Sequence, residues 1–118
     1  MTPGDKELLL KDLSTRLPYG VKLLHIPTNE ITALELVGKY FIDGDIHDSI
    51  EYFKPYLFRM PSMTVEQENE FQSLNGWKHC VFPQTEEAFD WLNKNHFDYR
   101  RLIEKGLALD ATNLRIYE

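Results

Sequence analysis

Between Val21 and Asp48 the turn signals come only a few residues apart, and this spacing limits what the chain can build. Pro27-Thr28-Asn29-Glu30, Gly38-Lys39 and Asp43-Gly44-Asp45 separate three short β-rich runs: Val21–Ile26, Ile31–Val37 and Tyr40–Ile42. Pro, Gly, Asn and Asp favour turns because they fix φ, tolerate positive φ or bond their own backbone. A parallel crossover needs a dozen or more connecting residues, so these strands must pair antiparallel, as a meander. In the second run the apolar face is the one that carries Leu34 and Leu36.

Helical spacing takes over on either side. Over 3–17, Pro3 suits the first turn, Asp5 and Glu7 face the positive end of the dipole, and Lys11 and Arg16 fall later. Leu9, Leu10, Leu13 and Leu17 form one stripe, and Pro18 with Gly20 ends the helix. Over 49–63, Pro55 and Pro61 interrupt the pattern, which predicts a short helical turn followed by an extended segment. Thr64 with Gln67 three residues on is a capping box for a helix to about Leu74, ended by Asn75-Gly76. Trp77–Phe82 reads as a strand that Pro83 breaks. Thr85 caps a further helix with Glu86 and Glu87 in its first turn and Ala88, Phe89, Trp91 and Leu92 on its buried face. Asp98 caps a short helix stopped by Gly106, and 107–117 is extended or irregular. The fold class is α+β: a single domain over 1–118, with a small antiparallel meander sheet packed against three to four helices.

The chain has 118 residues, enough to bury one core without disulfides or metal. Its net charge of −6 is the wrong sign for phosphate-driven nucleic-acid binding, so nucleic acid is disfavoured as a partner. The single cysteine, Cys80, excludes an internal disulfide and a Cys-based zinc site within one chain. It reads as a small residue in a buried strand. His79 beside it points to the opposite face, so the two cannot form a thiol–imidazole pair. No apolar run approaches a membrane span, and the first residues are acidic and polar where a signal peptide would be basic and then apolar. A cytoplasmic location is expected.

Chemistry-bearing clusters are few. Asp43, Asp45 and His47 gather hard and imidazole ligands around a Gly turn. The calcium-loop pattern then fails, because Asp48 holds the sixth position and Lys54 the twelfth. The cluster reads as an acidic turn, and no metal or cofactor is expected. His96, Tyr99, Arg100 and Arg101 could form an anion-binding group, with an arginine as bidentate donor. Against this, Asp98 is explained as a cap and the arginines as a solvated face. No phosphate-cradling glycine loop, Gly-x-Ser-x-Gly elbow, His-Glu-x-x-His or kinase motif set is present.

Four blocks occur in order: Lys11-Asp12-Leu13-Ser14-Thr15-Arg16-Leu17-Pro18-Tyr19-Gly20-Val21, Lys54-Pro55-Tyr56-Leu57-Phe58, Ser62-Met63-Thr64, and Trp91-Leu92 through His96-Phe97-Asp98-Tyr99-Arg100 to Gly106-Leu107-Ala108. With these the chain resembles a family of small uncharacterised proteins of gut anaerobic bacteria, often encoded in prophages or mobile elements. The resemblance implies a bacterial or phage cytoplasmic protein and no activity. The family usually has Gly where this chain has Arg101, and often Cys where it has Ser14.

Three functions are compatible with these residues. The first is a non-enzymatic protein-interaction or accessory module, with a protein partner or a homodimer formed through 50–61. The second is a small enzyme or binder of an anionic metabolite or nucleotide, which requires His96, Tyr99, Arg100 and Arg101 to converge. The third is a nucleic-acid accessory protein using Arg100, Arg101, Lys105 and Arg115.

Overall fold

A computed structural model describes residues 2–34, 47–77 and 82–117. Helix α1 (Pro3–Arg16) begins where expected. Thr2 caps it by accepting from the Asp5 amide at 3.1 Å, and Pro3 occupies its first turn. Its buried side chains are Leu9, Asp12, Leu13 and Arg16, spaced i, i+3, i+4 and i+7 along one face. The inward stripe is therefore half leucine and half ion pair. A 3-10 turn (Leu17–Tyr19) ends the helix, and Gly20 turns the chain at φ +70°.

Strand β1 (Lys22–His25) and strand β2 (Glu30–Ala33) form an antiparallel hairpin, Lys22 opposite Ala33 and His25 opposite Glu30. Leu34 is fully buried beyond β2. The rest of the expected second strand and all of the third lie outside the described residues. A 3-10 turn (His47–Tyr52) leads into strand β3 (Phe53–Arg59), which is the predicted helical turn followed by an extended segment.

Strand β3 lies antiparallel to β1, with Leu23 opposite Pro55 and His25 opposite Phe53. The Ile26 amide donates to the Tyr52 carbonyl at 2.8 Å. By the alternation of an antiparallel ladder, Pro55 then turns its nitrogen away from β1, so its missing N–H costs that pairing nothing. Two short C-terminal strands, β4 (Phe97–Asp98) and β5 (Leu109–Asp110), pair with β3 in parallel. The result is a five-stranded, mostly antiparallel sheet ordered β2-β1-β3-β4, with β5 also on β3. The α+β class is as expected. Among the described strands the sheet is not the expected meander: β3 returns beside β1, and long connections allow the parallel pairings. Tyr56 and Leu57 are buried in the core, so much of the apolarity of 50–61 is used inside the fold.

Helix α2 (Val65–Leu74) carries the full capping box: Gln67 N to Thr64 Oγ1 at 3.1 Å and Thr64 N to Gln67 Oε1 at 2.9 Å. Helix α3 (Glu86–Lys94) is capped by Thr85, whose hydroxyl also donates to the Leu74 carbonyl at the end of α2. Asn75, fully buried, ties the two helices further by donating to the Phe82 carbonyl and accepting from the Gln84 amide.

The core has two parts. Leu9, Leu13, Val21, Leu23, Leu34, Ile50 and Leu57 fill one, between α1 and the sheet. Phe71, Ala88, Trp91, Leu92, Phe97 and Tyr99 fill the other, where α2 and α3 meet β4. The Trp91 and Phe97 rings stack there at 5.7 Å.

Three local expectations are corrected. Residues 99–106 form successive turns, not a helix, because Arg101 adopts φ +60° and breaks the helical path. Asp98 still caps, through Leu102 N and Ile103 N at 2.9 Å each, and Gly106 still turns the chain at φ +75°. Phe89 is 40% exposed, not on the buried face. Trp77 sits in a turn at φ +56° and Phe82 in a bend, so neither end of the expected Trp77–Phe82 run is strand. Residues 78–81, with His79 and Cys80, lie outside the described residues.

Candidate functional site

Helix α1 places Asp12 and Arg16 one turn apart on its buried face, directly against the segment 97–100. Arg16 donates through Nε to Asp12 Oδ2 at 2.8 Å and through Nη2 to the Phe97 carbonyl at 2.6 Å. Arg100 reaches the same carboxylate, Nε to Asp12 Oδ1 at 3.0 Å. Its Nη2 also donates to the Tyr99 hydroxyl, which in turn donates to Asn93 Oδ1 at 2.9 Å. Both guanidinium groups lie by the Tyr99 ring, at 5.3 and 5.0 Å from its centre. Two cations thus share one anion, and Arg16 Nη1, fully buried, has no hydrogen-bond partner among the protein atoms.

Tyr99 also lines a cleft of about 360 Å³. Met60, Pro61 and Met63 line it from the 3-10 turn after β3, Phe71 from α2, and Phe82, Tyr99 and Ile103 from the C-terminal half. Its charged lining is Arg59, Glu68, Asp98, Arg101 and Glu104. Arg101 lies over the Phe82 ring at 5.6 Å. An apolar interior with a few charges falls in the size range of small-ligand and anchor pockets.

The structure divides the four residues singled out from sequence. Tyr99 and Arg101 line the cleft. Arg100 turns inward to Asp12, so it is not part of a solvated face. His96 stands apart, with its ring stacked on Tyr117 at 3.9 Å. Its Nδ1 is buried without a partner. Tyr117 donates to the Tyr56 carbonyl at 2.6 Å and accepts from Lys22 N at 3.0 Å, which straps the C-terminal segment to β3 and β1. Burial pushes the Tyr117 hydroxyl up to about 12. The four side chains do not converge in one pocket.

Asp43 and Asp45 lie outside the described residues, as does the side chain of His47. Among the described residues, no three His, Cys, Asp or Glu side chains gather in a way that could hold a metal ion. No described helix is long and apolar enough to cross a membrane.

Sequence reasoning missed Asp12, Arg16 and Asn93. The first two carried a signal: an acid and a base four apart, each three or four residues from a stripe leucine. Asn93 carried none, because its role depends on the fold bringing Tyr99 to it. Comparison of the chain with family models, curated proteins and solved structures finds no match.

Two expected results arise directly. Burial, and then the Arg16 charge, lower His96 from 6.5 to about 4. The unfolded chain therefore binds a proton in a range where the native state resists it. Native stability is complete above about pH 6.5 and falls as pH drops towards 4. The loss is on the order of 1–2 kcal/mol once solvent screening at this partly exposed ring is allowed for. Urea titrations at pH 7 and pH 4.5 should show that slope, and His96→Leu should flatten it.

Arg101, at φ +60°, occupies the left-handed region where glycine is unstrained. Arg101→Gly should leave stability within about 1 kcal/mol of the parent, while Arg101→Val should lose more, because a β-branched side chain fits that conformation worst. Equal midpoints for the Gly and Val variants would contradict this backbone assignment.

Proposed function

We propose that this chain is a non-enzymatic interaction module that receives an apolar anchor of a protein partner in the Met60–Met63–Phe71–Tyr99 cleft. The observation that carries the reading is the cleft itself: thioether and aromatic walls, and charges without a nucleophile–base pair among them. Methionine suits such a surface because its unbranched, polarisable side chain adapts to what it meets. The exposed Phe82 extends the apolar surface outward. The acidic balance and the resemblance to prophage-encoded proteins support a cytoplasmic accessory role.

Two other readings have less support. Binding of an anionic metabolite through the 96–101 region loses Arg100 to Asp12 and His96 to Tyr117. A basic nucleic-acid patch loses Arg100 for the same reason, leaving Arg101, Lys105 and Arg115.

A photo-crosslinking residue at Met63, in the native host, should yield one stoichiometric protein adduct. The same residue at the exposed Lys11 should not, and Phe82→Glu should abolish the Met63 adduct. Identical adducts from both positions, insensitive to Phe82→Glu, would refute the cleft as the docking site.

A further inference from the structure

The two sides of the cleft differ in charge. Helix α2 contributes Glu68 to the lining and has no basic residue. The opposite side presents Arg59, from the end of β3, and Arg101, from the turn after β4. Both are exposed, and neither has an ion-pair partner among the described residues. Glu104 on the same turn offsets part of that charge. The Asp98 carboxylate accepts two amide N–H groups but keeps its charge, and so offsets more of it. Beside the Tyr99 ring, Arg16 and Arg100 outnumber Asp12 and add to the positive side. An occupant whose own charges cross the cleft in the opposite sense meets attraction on both sides, whereas one of uniform sign is repelled by one of them.

We propose that the cleft takes a peptide segment whose large apolar side chain is flanked by a basic residue facing α2 and an acidic residue facing Arg59 and Arg101. This rests on the interaction reading above and adds the chemistry of the partner. The apolar side chain fills the space over Phe71 and between the two methionines, where burial drives binding. The flanking charges remain at the solvent-exposed rim, so they select among partners and contribute little to affinity.

The test uses the full chain with its methionine methyl groups labelled with carbon-13, titrated with acetylated, amidated tetrapeptides. Lys-Leu-Phe-Asp and Asp-Leu-Phe-Lys present both chain directions, Asp-Leu-Phe-Asp and Lys-Leu-Phe-Lys are uniform in sign, and Lys-Ser-Ser-Asp has no anchor. The better mixed-sign peptide should shift the Met60 and Met63 methyl signals with a Kd about fivefold below either uniform peptide. The serine peptide should shift neither.

In the double variant Arg59→Glu with Arg101→Glu, both sides are acidic, and the preference should pass to Lys-Leu-Phe-Lys. Both positions are exposed, and an unchanged methyl spectrum of the free variant verifies its fold. Equal Kd values for the four phenylalanine peptides would overturn the charge assignment, as would a preference that ignores the double variant. If no peptide binds while Met63 still crosslinks a partner, this inference fails and the interaction reading stands. If the serine peptide binds as well as the others, the anchor is wrong and both fail.

Discussion

Asp12→Asn should be among the most damaging single substitutions in this protein. The carboxylate is fully buried and is the only anion bonded to Arg16 and Arg100 among the described residues. Removing its charge leaves a fully buried guanidinium and a half-buried one without compensation. Breaking one partner of a buried pair costs about 3–5 kcal/mol. Set against a total stability of about 5–15 kcal/mol for a domain, that is a large share of the whole. The denaturation midpoint should fall by on the order of 10 °C or more. Thermal unfolding followed by tryptophan fluorescence reads it directly, since Trp91 lies in the neighbouring core.

The cause of that loss can be isolated. A triple variant, Asp12→Leu with Arg16→Met and Arg100→Met, removes the charges together and fills the space with apolar atoms. Replacing a whole buried charge cluster in this way is often neutral or stabilising, so the triple variant should recover most of what Asp12→Asn loses. A loss under about 1 kcal/mol for Asp12→Asn would mean that water reaches the cluster and screens it as a surface pair.

What could be read from the sequence depended on how local each signal was. Thr64 with Gln67, Thr85 with its following glutamates, and Pro3 beside Asp5 are helix starts whose physics is complete within four residues, and each stands where expected. The hairpin at Pro27–Glu30 was legible for the same reason. The strand order was not, because the place of β3 beside β1 follows from which faces bury well together. The segment 98–106 was misread as helix because propensity gives no warning that a non-glycine residue will adopt φ +60°.

At the candidate site, Tyr99 and Arg101 were legible because aromatic and basic residues in a short run stand out. The methionines and Phe71 across the cleft were not, since they come from the turn after β3 and from α2 and meet only in the fold. Arg16 was read as a partner of the helix dipole, and its burial shows that its position on the leucine stripe decides its role.

Asp98 is where stability and the cleft meet, and its removal should affect both. Its two carboxylate oxygens each accept one amide, Leu102 N and Ile103 N, at 2.9 Å. Those bonds hold the turn that carries Arg101, Ile103 and Glu104 into the cleft. Hydrogen bonds to a charged acceptor contribute about 1.5–3 kcal/mol each, and a buried amide left unpaired adds its own cost. Asp98→Ala should therefore lose about 3 kcal/mol, and Asp98→Asn should recover little, because its NH₂ group would face one of the two donors.

Hydrogen exchange should separate this local effect from global unfolding. In Asp98→Ala the amides of Leu102 and Ile103 should lose protection ahead of those in α1 and β1, because the turn opens before the rest of the fold. If the same variant keeps native protection at 102–103, those amides have other partners and the turn does not depend on Asp98. If protection is lost there and the labelled methyl signals of Met60 and Met63 stay unmoved, the turn and the methionine wall are independent. Movement of both together would show that one carboxylate under the turn sets the shape of the whole cleft.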